Sequence, residues 1–324
     1  MPRKVIIGIH GLSNKPEKQT LKEWWWKSIT DGVSAKRNGG GSPSTDAERG
    51  EILGENDCAM AYWADIMYQY PTYVYTSTQP YVKISGPPPA YQTGPFDLVR
   101  KWFRSAVTSL WDRRRRLFST ELYDRLANQF LKVLLKDLHY YWNEGSVRPF
   151  TYWKDDAWVS EPREIKAEEL QACLKDEVQA KLEEDPESEI LVIAHSMGTI
   201  IAFDCIAGPD WPVPEGHKVQ LITIGSPLGL PTVRAHLQRD ARGRVSYPEN
   251  RLISWHNFAD PKDLVAAVPY LRPHFKDSNG TAQVEDSLIQ NDYHDRDNSR
   301  NSHKSFGYLR CPEVATLIDD FLRR

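Results

Sequence analysis

Between residues 189 and 203 the chain passes from a strand pattern to a helix pattern with almost nothing between them. Leu191-Val192-Ile193-Ala194 is continuously apolar, His195-Ser196-Met197 follows, and Gly198-Thr199-Ile200-Ile201-Ala202-Phe203 at once reads as a helix. A strand that is apolar at every position is covered on both faces, as in a parallel sheet flanked by helices. So abrupt a turn brings backbone close to the residues two before and two after the serine, where only Ala or Gly fits. Ala194 and Gly198 occupy those places. The turn exposes the Ser196 hydroxyl and aims the positive end of the next helix at it. An α/β architecture is therefore expected, with Ser196 as a candidate nucleophile.

The rest of the chain follows the same rhythm. Short β-branched runs at 4–9, 57–63, 218–224 and 251–257 join the one at 189–194 as predicted strands. Residues 165–183 place Leu170, Leu174, Val178 and Leu182 at successive i+4 steps on an otherwise charged helix that stops at Asp185-Pro186. Residues 312–322 predict a closing helix. The alternation implies a mostly parallel sheet with helices on both faces. Two stretches interrupt it. Residues 38–50 are a Gly/Ser-rich surface loop. Residues 66–164 are too long for a single crossover; they open with Tyr- and Pro-rich sequence and predict helices near 96–118 and 120–142. The expected organisation is a core of residues 1–65 and 165–324, with 66–164 inserted as a helical cap.

Composition removes several classes. Lys and Arg number 41 against 44 Asp and Glu, a formal net charge of −3, which argues against a strongly basic nucleic-acid binder. Eleven Trp, 15 Tyr and 10 Phe argue against a disordered chain. Mean hydropathy is −0.57, and no stretch approaches the ~20 apolar residues of a membrane helix. Cys58, Cys173, Cys205 and Cys311 are too scattered for a zinc site or a disulfide framework. The short Ile-rich start reads as a strand rather than a secretory leader, so a cytoplasmic location is expected.

The Ala194-His195-Ser196-Met197-Gly198 turn, taken with Ile9-His10-Gly11-Leu12 after the first strand, resembles the α/β-hydrolase superfamily, in particular its lipase- and esterase-like serine hydrolases. The resemblance covers the sheet-forming parts but not 66–164. Family members usually have two strands before the one ending in His-Gly. Only three residues precede that strand here, so an N-terminally shortened sheet is expected. The resemblance implies that Gly11 lets the chain bend close to substrate, and that backbone N–H groups of Leu12 and Met197 hold an oxyanion. It also implies the order nucleophile, acid, histidine. Two acids follow the 251–257 strand. Asp263-Leu264-Val265 matches the family's Asp-x-Val loop and is preferred. Asp260, before Pro261, reads as a turn residue and stays the alternative. His274, His294 and His303 qualify by order. His303, in a loop just before the closing helix, is preferred, and His195 reads as a supporting residue rather than the base.

The expected activity is hydrolysis of carboxylic esters through a Ser196–His303–Asp263 triad and an acyl-enzyme, with no metal or organic cofactor. The substrate would be a small-molecule or lipid-like ester. An acyltransferase, or a non-catalytic ligand-binding protein on the same fold, are the alternatives. Tyr62 and Trp63 either shape the pocket or anchor the cap. Of Trp24, Trp25 and Trp26 at least one should be semi-exposed, against the cap or a partner. The stripe from Phe96 to Phe118, with Arg113–Arg116, is expected to be a solvated basic helix face; docking on an anionic membrane is the rival reading.

Overall fold

The computed structural model describes residues 2–12, 14–39, 42–68, 137–143, 145–154, 157–217, 219–237, 245–291, 293–295 and 300–324. In chain order the elements are β1 (Lys4–Ile9), α1 (Lys18–Asn38), α2 (Asp46–Ile52), β2 (Cys58–Ala61), α3 (Ala64–Met67), β3 (Val147–Lys154), β4 (Ala157–Glu164), α4 (Ala167–Glu184), β5 (Glu189–His195), α5 (Gly198–Ala207), β6 (Val219–Ile224), α6 (Pro231–Arg234), β7 (Leu252–Ala259), β8 (Val284–Leu288), α7 (Ser305–Arg310) and α8 (Pro312–Arg323). Six strands form one sheet in the order β2-β1-β5-β6-β7-β8, and every neighbouring pair is parallel.

The apolar strands are apolar throughout because both faces are covered. Val5, Ile7 and Ile9 of β1 and Ile190, Val192 and Ala194 of β5 pack with Leu170, Leu174 and Val178 of α4 and with Ile200, Ile201 and Phe203 of α5. The intervening residues Ile6, Leu191 and Ile193 pack on the other face with Trp25, Ile29 and Val33 of α1 and with Val314, Ile318 and Phe321 of α8. Strand alternation thus divides one run of side chains between two helix layers.

The chain steps outward from β1 to β2, returns across β1 to β5, then advances through β6, β7 and β8. Its direction reverses between the adjacent strands β1 and β5. The loops leaving their carboxyl ends diverge there, which is where open α/β sheets form a crevice.

The expected surface loop at 38–50 is corrected in its second half, where residues 46–50 belong to α2, which Thr45 and Glu48 close with reciprocal side-chain bonds. A sixth sheet strand, β8, lies beyond the five that the sequence pattern indicated. This edge strand alternates buried Val284 with exposed neighbours, and its Asp286 carboxylate accepts bonds from the N–H groups of Leu271 and Arg272 and from Asn257 Nδ2. Within 66–164, residues 147–164, for which no element was expected, form the antiparallel β3–β4 hairpin. The expected helix at 96–118 with Arg113–Arg116 lies outside the described residues, as does most of that at 120–142. Residues 137–142 are helical, and Leu138 and Tyr141 join the core beside Trp63. Among the described residues, no helix is long and apolar enough to cross a membrane.

Candidate active site

The turn between β5 and α5 is as tight as its composition requires. Ser196 has φ 57°, the only left-handed backbone among the described non-glycine residues. Such a conformation costs about 1–3 kcal/mol and persists only where surroundings enforce it. Here the Ser196 N–H donates to Ile224 O at 3.2 Å, and its carbonyl accepts from the Thr199 N–H at 3.0 Å. The β1 loop presses on the turn from the side. A Cβ on Gly198 would lie 2.5 Å from the His10 carbonyl oxygen, and one on Gly11 would lie 2.4 Å from Ser196 Cβ. Gly11 is therefore pressed against the serine, with Leu12 next in the β1 loop, Met197 next after Ser196, and α5 starting immediately behind.

His303 reaches Ser196 from the far end of the chain. Ser196 Oγ and His303 Nε2 are 3.0 Å apart, and His303 Nδ1 lies 2.8 Å from Asp263 Oδ2. A carboxylate only accepts, so the Nδ1 proton points at Asp263 and Nε2 is left to accept from the serine hydroxyl. Asp263 Oδ1 accepts the Val265 N–H at 2.9 Å. The acid side chain is fully enclosed, while the imidazole keeps 28% of its surface open. The acid is thus shielded from water and the base remains reachable, whereas Ser196, expected to be exposed by the turn, is fully buried.

Three further groups hold this arrangement. His195 is neutral: burial first, then the neighbouring His303, push it well below the ordinary histidine range. Its Nε2–H donates to the His303 carbonyl at 2.7 Å and ties the histidine loop to β5. Gly225, at φ 56° after β6, passes so close that a Cβ would sit 2.8 Å from Asp263 Oδ2 and 3.1 Å from His303 Nδ1. Tyr308 on α7 places its hydroxyl 2.7 Å from Asp263 Oδ2 and 2.9 Å from the Asp260 N–H. Sequence reasoning missed both Gly225 and Tyr308. The abrupt Ile224-Gly225-Ser226-Pro227 ending of β6 was the available signal for the first; nothing local marks the second.

The alternative residues occupy other places. Asp260 is an anchor: its Oδ1 accepts the Lys262 N–H at 2.7 Å, and its Oδ2 accepts the Asn291 N–H at 2.7 Å and Arg300 Nη2 at 2.8 Å. His274 lies in the turn after Leu271, and His294 in a bridge to Arg300.

The β1 loop is ordered by His10 and Trp63. The Trp63 N–H donates to His10 Nε2 at 3.1 Å, which leaves the proton on Nδ1 to donate to Gly11 O at 2.9 Å. Burial, then Lys15, push His10 well below its ordinary range, in keeping with a neutral ring. Fixing Gly11 O also orients the Leu12 N–H, because the two belong to one trans peptide plane and point to opposite sides. Lys15 Nζ donates to the next carbonyl, Leu12 O; burial, then Lys304, bring this ammonium down to about 7. Trp63 therefore buttresses the β1 loop through hydrogen bonds, besides packing with Leu138 and Tyr141. Trp24, the half-buried one of the three consecutive tryptophans, sets its ring edge-on to Phe306 at 6.1 Å, beside the histidine loop. The chain matches no protein-family model and no curated protein.

Proposed function

We propose that the protein is a serine hydrolase of the α/β-hydrolase type that cleaves carboxylic esters. The observation that carries this reading is the hydrogen-bonded series Ser196–His303–Asp263, with its serine on a strained turn at the carboxyl edge of a parallel sheet. The series runs along the chain as nucleophile, acid, histidine, the order of that superfamily. Supporting it, among the described residues the strand preceding Gly11 is followed outward by β2 alone, in keeping with a sheet shortened at that edge.

In this mechanism Ser196 Oγ attacks the ester carbonyl while His303 Nε2 takes its proton. Asp263 holds the imidazole in the required tautomer and stabilises the imidazolium. Negative charge develops on the former carbonyl oxygen beside the N–H groups of Leu12 and Met197 and the N-terminus of α5. Collapse of this intermediate expels the alkoxide, which leaves with the proton from His303. Water then attacks the acyl-enzyme, His303 again serving as base, and the acid product departs. The substrate is an ester of small-molecule or lipid-like type.

A fluorophosphonate tests the reading. It should label Ser196 in the unmodified protein, and Ser196→Ala should lose both labelling and turnover across a panel of acyl esters. Undiminished turnover by a folded Ser196→Ala protein would remove the proposal.

A further inference from the structure

The Tyr308 hydroxyl lies between two groups whose hydrogen-bonding roles are fixed by their chemistry. The Asp260 N–H can only donate, so the Tyr308 oxygen accepts from it at 2.9 Å. The Asp263 carboxylate can only accept, so the Tyr308 O–H points to its Oδ2 at 2.7 Å. The same Oδ2 receives His303 Nδ1–H at 2.8 Å. The result is one directed chain of donors, from the Asp260 backbone through Tyr308 to Asp263, meeting the chain that starts at Ser196 and passes through His303. Tyr308 is fully buried, and burial followed by the Asp263 charge pushes its phenol well above the ordinary range. The hydroxyl therefore keeps the proton it donates.

We infer that Tyr308 is a positioning residue for the triad: its hydroxyl pins Asp263 Oδ2 so that the carboxylate holds the His303 imidazole in line with Ser196. The inference rests on the serine-hydrolase reading. Without Tyr308, the Asp263 carboxylate keeps the Val265 N–H at Oδ1 and, at Oδ2, only the His303 imidazole that it has to orient. Helix α7 has the form this task needs. It begins two residues after His303, and a Cβ on its Gly307 would lie 1.8 Å from Asn291 Oδ1, so the helix is seated directly on the Asn291 loop. Asn291 in turn donates from Nδ2 to the Ser302 and Lys304 carbonyls on either side of His303. The Asn291 side chain thus ties the His303 loop to the start of the helix that carries Tyr308.

The test is Tyr308→Phe, which removes only the oxygen, with Tyr247→Phe as a buried control beside Trp255, far along β7. Tyr308→Phe should lower kcat about 10- to 100-fold, the usual effect of losing a group that orients a reacting one, with KM within about twofold. The downfield proton resonance of the His303–Asp263 bond should shift in Tyr308→Phe and stay in place in Tyr247→Phe. A folded Tyr308→Phe protein with unchanged kcat and unchanged resonance overturns the inference. Should that variant not fold, the unmodified protein decides. Its Tyr308 hydroxyl proton should exchange slowly and show a nuclear Overhauser effect to His303 Hδ1; absence of that contact overturns the inference. If Ser196 resists the fluorophosphonate and no ester is cleaved, the proposed function falls, and these proton signals still decide the role of Tyr308.

Discussion

Two aspartates three residues apart carry opposite assignments, and their environments say why. Asp263 has its carboxylate shared among His303, Tyr308 and the Val265 N–H, whereas Asp260 is bound by Arg300 and two backbone N–H groups. Asp263→Asn should lower kcat by on the order of 10⁴, because an amide cannot hold the imidazole in the same tautomer, with little change in stability. Asp260→Asn should instead cost about 2–4 kcal/mol in urea denaturation, since it leaves Arg300 facing an amide and breaks a largely buried pair. Greater loss of kcat in Asp260→Asn than in Asp263→Asn would reverse the two assignments. Gly225→Ala belongs to the same scale. Its φ of 56° and the 2.8 Å approach to Asp263 Oδ2 predict about 1–3 kcal/mol lost stability and a reduced kcat, measured by denaturation and ester turnover.

At the scale of elements, the helices do separate work. Helix α5 presents its N-terminus to Ser196, while near its other end Asp204 accepts the Tyr141 hydroxyl at 2.8 Å, which itself accepts from Gln171 Nε2 at 3.0 Å. This ties the helical residues 137–142 to α4 and α5. Burial raises the Asp204 carboxyl to about 7, only partly opposed by Tyr141. The folded protein thus binds a proton there that the unfolded chain has released above its ordinary value near 3.8. Stability from this group is full below that value and is lost as pH rises through about 7. Asp204→Asn should match the unmodified protein near pH 4 and exceed it by about 4 kcal/mol at pH 8, read by urea denaturation at both pH values. A gain that is equal at both would exclude Asp204 as the titrating group. The elements also show where local pattern was sufficient. β1, β5 and α4 were legible because burial of both strand faces, or of one helix face, writes a period into the residues. β8 was not, since Val284-Glu285-Asp286-Ser287-Leu288 is an edge strand with few apolar positions, and Asp286 is accommodated only by donors from Leu271, Arg272 and Asn257.

Across the whole molecule, the first and last helices are clasped together. Asp319 of α8 receives Lys36 and Arg37 from the end of α1, and Arg323 from its own helix. Burial opposes its charge, yet the bonds from Lys36, Arg323 and Arg37 bring the carboxyl down to about 2. The stability it contributes is present above the unfolded value near 3.8 and is lost as pH falls through about 2. Asp319→Asn should cost about 2 kcal/mol at pH 7 and only about 0.4 kcal/mol at pH 2, checked by denaturation across that range. This clasp joins residues 36 and 319, and the candidate triad joins 196, 263 and 303; only the folded sheet brings either set together. Read along the chain, local pattern settles the α/β class and the strand–Ser196–helix turn with its small flanking residues Ala194 and Gly198. These depend on contacts between near neighbours: a tight turn excludes Cβ atoms, and a buried strand excludes polar side chains. Local pattern left open which aspartate faces His303, and it was silent about Tyr308 and Gly225. Their roles come from partners distant in sequence, whose meeting is decided by strand order and helix packing rather than by neighbours along the chain.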